Sequence, residues 1–236
     1  MSVSQDGTTA GLSEMKRYAR RRFEAWAGHY DQSLLNHFLF RPSYIILMEE
    51  IARWYARHRR PFRVLDVGSG TGTLAAFLAH SSWPVEIVGL DYAPQMCLTA
   101  FSKTRATHRS GRARFINGDS EHLPFADASC DVVTCSNSFH HYPHQQTVVA
   151  EMSRLLAPGG LLIIIDGFRD CVIGWFVFDV LIAHIEKEVH HVPWPLMHQY
   201  FVSAGLSNIR RRQFNFLLPA FATIGDKPFA ASRFQR

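Results

Sequence analysis

The chain has 236 residues, 47% of them hydrophobic and 19% charged, with a formal charge of +5. That length suits one α/β domain with a sizeable core, and that composition excludes a disordered or collagen-like chain. No apolar run approaches the ~20 residues of a membrane span, and the basic residues (16–22, Arg57, Arg59, Arg60, Arg210, Arg211, Arg212) read as solvated faces and strand edges, not as a groove for nucleic acid.

Residues 1–13 are polar, carry no signal-like apolar region, and read as a disordered leader. Residues 14–29 have helical character and are basic on one side, with Phe23, Trp26 and Tyr30 sharing a face. That face either docks the helix on the domain or folds over a ligand. Residues 42–58 read as a second helix leading into the first strand. Cys97, Cys130, Cys135 and Cys171 show no CxxC pair, which favours reduced thiols in the cytoplasm over disulfides.

The organising stretch is Val64-Leu-Asp-Val-Gly-Ser-Gly-Thr-Gly-Thr-Leu74. A buried strand stops at Gly68, and a helix over 74–80 begins after Gly72. Glycines allow a tight turn and close approach of a ligand to the backbone, and the helix N-terminus points positive charge at it. The spacing G-x-G-x-G departs from the dinucleotide fingerprint, because Thr73 stands where the third small residue belongs. Asp66, just before the loop, would repel a pyrophosphate and attract an ammonium group. S-adenosylmethionine (SAM), with a zwitterionic tail, a ribose diol, an adenine and no phosphate, fits that charge better than NAD does.

Two further strands end in acids. Residues 85–91 end in Asp91, placed about 20 residues on to accept ribose hydroxyls, and residues 113–119 end in Gly118-Asp119, with Ser120 beside them for the adenine edge. Between them, a helix over 94–107 carries Met96, and after the second of them 122–125 form a turn. A fourth strand over 131–135 exits through Ser136-Asn-Ser-Phe-His-His-Tyr-Pro143. His140 and His141 in this exit are candidates for a general base, or for substrate positioning alone. The histidines at 140, 141, 144, 190 and 191 match no metal motif, and no metal is expected.

A helix over 145–157 stops at Pro158-Gly-Gly160, and the apolar run 161–165 is a strand covered on both faces, ended by Asp166. Residues 171–194 are mostly apolar. They suit a buried helix, a dimer contact, shallow membrane attachment, or a lid in which Trp175, Phe176 and Phe178 line an acceptor pocket. A last helix over 195–204 and two antiparallel strands over 208–216 and 219–226 follow, with Phe214 and Phe216 inward.

The segments VLDVGSGTG (64–72), VGLDYAPQM (88–96), NGDSEHLPFADASCDVVTCSNSFHHYP (117–143) and RLLAPGGLLIIID (154–166), with AGHYD (27–31) upstream, resemble the class I SAM-dependent methyltransferases. Within these they resemble the methyltransferase type 11 group that includes the ubiquinone/menaquinone C-methyltransferases. The resemblance implies a Rossmann-like doubly wound sheet of seven strands, order 3-2-1-4-5-7-6 with strand 7 antiparallel, capped by N-terminal helices (14–60) and a helical lid insert (168–195) in one domain, 14–236. It also implies cofactor contacts from Tyr30, Asp66, Gly68, Ser69, Gly70, Gly72, Asp91, Tyr92, Met96, Gly118, Asp119, Ser120 and Ser136, with S-adenosyl-L-homocysteine as product. The expected reaction is methyl transfer to an O, N or C nucleophile of a small, fairly hydrophobic acceptor, by a monomer or homodimer. The Gly-x-His-Arg motif of the quinone enzymes is absent, and Asn36-His-Phe-Leu-Phe-Arg41 stands in that region. A SAM-binding protein without turnover and an NAD-dependent oxidoreductase are the rival readings.

Overall fold

The computed structural model describes residues 34–105, 110–167, 191–214 and 220–229. The expected leader, the helix over 14–29 with Tyr30, the proposed lid with its three aromatic residues, and Cys171, His190 and Phe216 lie outside the described residues.

Seven strands form one sheet: β1 (Phe62–Val67), β2 (Val85–Asp91), β3 (Ala113–Asn117), β4 (Cys130–Ser136), β5 (Leu156–Gly167), β6 (Ser207–Phe214) and β7 (Ala220–Asp226). Their order is β3-β2-β1-β4-β5-β7-β6. The first five run parallel, and β7 is antiparallel to both of its neighbours. This is the order and the antiparallel strand expected above.

The helices are α1 (Leu34–His58), α2 (Thr73–His80), α3 (Pro94–Arg105), α4 (Gln145–Leu155) and α5 (Trp194–Ser203). Side chains alternate faces along a strand, so each strand feeds two cores. Val64, Val132, Leu161, Ile163 and Ile165 meet Leu47, Ile51, Trp54, Leu74 and Leu78 of α1 and α2. Leu65, Val133, Leu162 and Ile164 meet Val148, Met152 and Phe201 of α4 and α5. Both faces of β5 are thus covered, which explains why its sequence is an unbroken apolar run.

Two boundaries differ instructively from the sequence reading. Helix α1 starts before Pro42 and carries that proline inside it, so the proline does not mark a first turn. Strand β5 starts at Leu156, before Pro158-Gly-Gly160 rather than after it. Pairing jumps from Cys130–Leu156 to Val132–Leu161, so the proline and glycines form a bulge within the strand. Gly159 takes φ 77°, and its N–H donates to the Lys227 carbonyl at 2.8 Å.

The edge strand β6 is tied to α1 by charge. Glu50, with a side chain wholly buried, accepts from Arg210 at 2.8 Å and Arg212 at 2.9 Å, and also pairs with Arg53. Burial alone would raise the Glu50 carboxyl, but these guanidinium groups outweigh it and hold the group below the usual range. Arg210 and Arg212 therefore sit at a strand edge, as expected, but paired. Among the described residues, Cys97, Cys130 and Cys135 are free thiols and buried. Burial pushes Cys97 up to about 11 and Cys135 up to about 12, so neither is a ready thiolate. No helix among the described residues is long and apolar enough to cross a membrane.

Candidate active site

The strand order reverses between β1 and β4, and a crevice opens beyond their carboxyl ends, where ligands bind in open α/β sheets. It encloses about 1020 Å³ of empty space, its open mouth included.

The floor is the loop between β1 and α2. Gly68, Gly70 and Gly72 take φ 71°, 51° and 73°, the left-handed region that side chains resist. Each glycine has its own reason. A Cβ on Gly68 would lie 2.2 Å from Ser138 Oγ, and one on Gly72 would lie 2.7 Å from the Ala100 Cβ. A Cβ on Gly70 would meet nothing within 4 Å, because that position faces the open crevice. Lys103 of α3 clamps the loop from outside, donating to Thr71 and Thr73 at 3.1 and 3.2 Å.

The loop's amides are more occupied than the sequence suggested. Gly68 and Ser69 N–H both donate to the Leu90 carbonyl, and Gly70 N–H donates to Asp91 Oδ2 at 2.8 Å. The ends of β1 and β2 are neighbours in a parallel pair, so the loop satisfies its donors on β2. The Ser69 hydroxyl is buried against Gly89 of β2 and has no hydrogen-bond partner among the described residues.

Asp91 also accepts the Ala93 N–H at 2.9 Å on its other oxygen. Burial raises its carboxyl, against the lowering effect of these backbone donors. Asn117, at the end of β3, donates to the Asp91 and Tyr92 carbonyls at 2.9 Å each and fixes that turn. Asp119 caps its own turn by accepting the Glu121 N–H at 3.0 Å. Met96 is buried against Ala93 in a small cluster of its own.

Beyond β4, Asn137 sits at φ 55° and donates its N–H to the Ile165 carbonyl at 2.8 Å. Tyr142 is half-buried, its hydroxyl 3.1 Å from Ser138 Oγ, and the burial of that end drives its phenol well above the ordinary value. His141 lines the crevice, and its ring is 4.0 Å from that of His140. His140 points away, with Nδ1 2.6 Å from Asp166 Oδ1. Burial would raise Asp166, but His140 and His191 reverse the effect and hold it far below the carboxylate range. His144 pairs elsewhere, 3.1 Å from Glu121.

Of the cofactor residues named from sequence, Gly68, Ser69, Gly70, Asp91, Tyr92, Met96, Gly118, Asp119, Ser120 and Ser136 all line this one crevice. Asp66, Gly72 and His140 are not in its wall, and Tyr30 lies outside the described residues. Asp66 is buried under the loop, accepts the Thr134 hydroxyl at 2.7 Å, and is raised to about 7, chiefly by burial. Tyr44, Asn137 and Tyr142 also line the crevice and were not singled out from sequence. Asn137 and Tyr142 lie inside the quoted strand-exit motif. Tyr44 comes from α1 and carries no local signal.

A family profile described as a methyltransferase domain matches residues 65–164. The demethylmenaquinone methyltransferase of Deinococcus radiodurans is 42% identical over 127 residues, 53% of this chain and 52% of that protein. That of Geobacillus kaustophilus is 31% identical over 166 residues, 67% of this chain and 69% of that protein. The chain spans about half the length of some of these relatives, including the one from Thermus thermophilus, where the match covers 50%. In fold, magnesium protoporphyrin IX methyltransferase from Synechocystis PCC 6803, solved with bound SAH, is similar with TM-score 0.72 at 14% identity, over 90% of this chain and 99% of that one. Sheet order, glycine loop and relatives agree: the chain belongs to the class I SAM-dependent methyltransferases, in the group that includes the ubiquinone/menaquinone C-methyltransferases.

Proposed function

We propose that this crevice holds SAM and that the protein transfers its methyl group to a small, fairly hydrophobic acceptor. The observation that carries the reading is the charge of the wall. Asp91, Asp119 and Glu121 line it, with no lysine or arginine among the described lining residues. A pyrophosphate needs cations or free amides, and the loop's Gly68, Ser69 and Gly70 amides are already bonded. A ligand with hydroxyls and an amine suits those acids.

The residues divide the work. Asp91, held by two backbone donors, keeps acceptor capacity on both oxygens for a ribose diol. The space over Gly70 fits the amino-acid tail, with Ser69 beside it in the crevice wall. Asp119 and Ser120 face the adenine, and Met96 supplies an apolar surface beside it. Asp66 supports the loop from beneath through Thr134. Tyr30 and the domain and lid boundaries remain part of this proposal.

When bound, the sulfonium supplies an already activated methyl group, so in-line positioning provides much of the rate. The acceptor's O, N or C atom gains the methyl and loses a proton. His141, which faces the crevice, is placed to take that proton, and His140 holds its ring from behind. The relatives that act on demethylmenaquinone support an apolar acceptor.

Calorimetric titration of the wild type and Asp91→Ala with SAM, S-adenosyl-L-homocysteine and NAD tests the cofactor. Micromolar SAM binding that the variant loses, with NAD silent, is expected. NAD binding without SAM would overturn the reading. Binding without turnover on any acceptor in a screen with labelled SAM would leave a binding protein, not an enzyme.

A further inference from the structure

His140, Asp166 and His191 come from three separate elements. His140 lies in the 3-10 turn after β4, Asp166 near the end of β5, and His191 just ahead of α5. One ligand atom from each lies within 4.8 Å of the other two. His140 Nδ1 is 2.6 Å and His191 Nδ1 3.6 Å from the same carboxylate oxygen, and the two rings are 4.7 Å apart.

We propose that these three side chains form a binding site for a divalent transition-metal ion, of the zinc, manganese or ferrous type, at the edge of the crevice. The inference is independent of the methyl-transfer reading. It departs from the expectation of no metal.

Three arguments carry it. The first is distance. An ion at about 2.0–2.2 Å from nitrogen and oxygen donors needs those donors roughly 3–3.5 Å apart. The present 2.6 and 3.6 Å nitrogen–oxygen separations bracket that range, and with all three donor atoms within 4.8 Å of one another, side-chain rotation closes what remains.

The second argument is donor count. His140 already forms one hydrogen bond with Asp166 Oδ1. A second buried imidazole, that of His191, converges on the same oxygen, which is more than that one hydrogen bond uses. Two imidazoles and a carboxylate around a divalent cation make a donor set that transition metals accept. Magnesium and calcium prefer oxygen alone.

The third argument is support and access. Gly167 N–H donates to Asp166 Oδ1 at 2.7 Å, fixing the carboxylate as outer hydrogen bonds fix metal ligands. Asp166 and His191 are buried, while His140, itself outside the crevice wall, lies against His141, which lines it. Three protein ligands leave coordination positions for water or for an acceptor oxygen.

The test uses the full chain, stripped with a chelator and titrated with Zn²⁺ by calorimetry and with Co²⁺ by visible absorption. Wild type is compared with His140→Gln, His191→Gln and the exposed control His80→Gln. Circular dichroism checks that each variant is folded. The expected result is one ion per chain, visible Co²⁺ bands, and affinity at least tenfold weaker in both His140→Gln and His191→Gln but unchanged in His80→Gln. Either site variant keeping wild-type affinity, or wild-type binding no tighter than millimolar, overturns the proposal. SAM affinity measured on the same stripped protein reports separately on the cofactor reading.

Discussion

Asp91 Oδ2 accepts the Gly70 N–H at 2.8 Å, so the acid at the end of one strand holds the loop at the end of its neighbour. Cofactor affinity and loop shape are therefore coupled through one carboxylate. Replacing Asp91 with alanine removes the ligand's hydroxyl acceptor and frees the Gly70 and Ala93 amides together. Charged hydrogen bonds are worth about 1.5–3 kcal/mol each. SAM affinity is expected to fall on the order of 10²-fold, and Asp91→Asn, which keeps one acceptor oxygen, by less. Calorimetry on both variants reads the difference.

Gly68 and Gly70 separate folding from binding. Both take positive φ, so alanine costs about 1–2 kcal/mol at either position. At Gly68 the new Cβ also strikes Ser138 Oγ and the Tyr142 hydroxyl, at 2.2 and 2.6 Å. At Gly70 it enters empty crevice. Gly68→Ala is expected to lower the melting temperature more. Gly70→Ala is expected to melt closer to wild type while losing at least tenfold in SAM affinity. Melting curves and titrations of the pair decide it, and equal losses in both assays would contradict the separation.

Asp66 gives a pH signature. Its carboxyl is raised from 3.8 to about 7, first by burial and also by the Asp91 charge, against the Thr134 hydrogen bond. The folded state therefore holds this proton more tightly than the unfolded chain does. Its stabilising effect is fully present below about pH 4 and is lost as pH rises through about 7. The loss is on the order of 4 kcal/mol at the alkaline end. Asp66→Asn keeps an oxygen for Thr134 and cannot ionise. The difference in unfolding free energy, variant minus wild type, is expected to grow from about pH 4 to 7 and then level off in urea melts of the cofactor-free protein. A flat difference would contradict the assignment.

Glu50 is the buried end of a three-arginine cluster, so its removal leaves Arg210 and Arg212 with only the more exposed Glu49, 2.8 Å from Arg212, and Asp226, 4.0 Å from Arg210. Breaking such a pair by deleting one partner typically costs about 3–5 kcal/mol. The guanidinium groups remain partly exposed and solvent recovers some of that, so about 3 kcal/mol is expected for Glu50→Ala in chemical denaturation. Arg53→Ala, on the exposed side, is expected to cost less than 1 kcal/mol.

Much of the crevice was legible in the sequence because its signals are local. An apolar run ending in glycine or an acid marks a strand terminus whatever lies elsewhere: Gly68 and Asp91 sit at one, and Asp119 lies two residues past the end of β3, which stops at Asn117 rather than at 119. The order of the strands was not legible that way and came from resemblance. Contacts between distant segments left no trace. Arg210 and Glu50 are separated by 160 positions, and no spacing rule links them. His191 meets Asp166 only because the chain returns to the end of β5 before α5. Pro158-Gly-Gly160 misled in a different way: the residues that stop a helix also suit a bulge, and only the pairing partner of Leu156 decides between them.

Strand β7 lies between β5 and β6 in space but follows both in sequence. A ribosome emits the chain from its N-terminus, so β6 is made before the strand that joins it to the sheet. Until Asp226 has left the exit tunnel, the outer edge of β5 stays open and β6 has no partner. Sheet completion must then wait for nearly the last described residues, and any nascent chain stalled before Ala220 carries an apolar edge competent to pair with another chain.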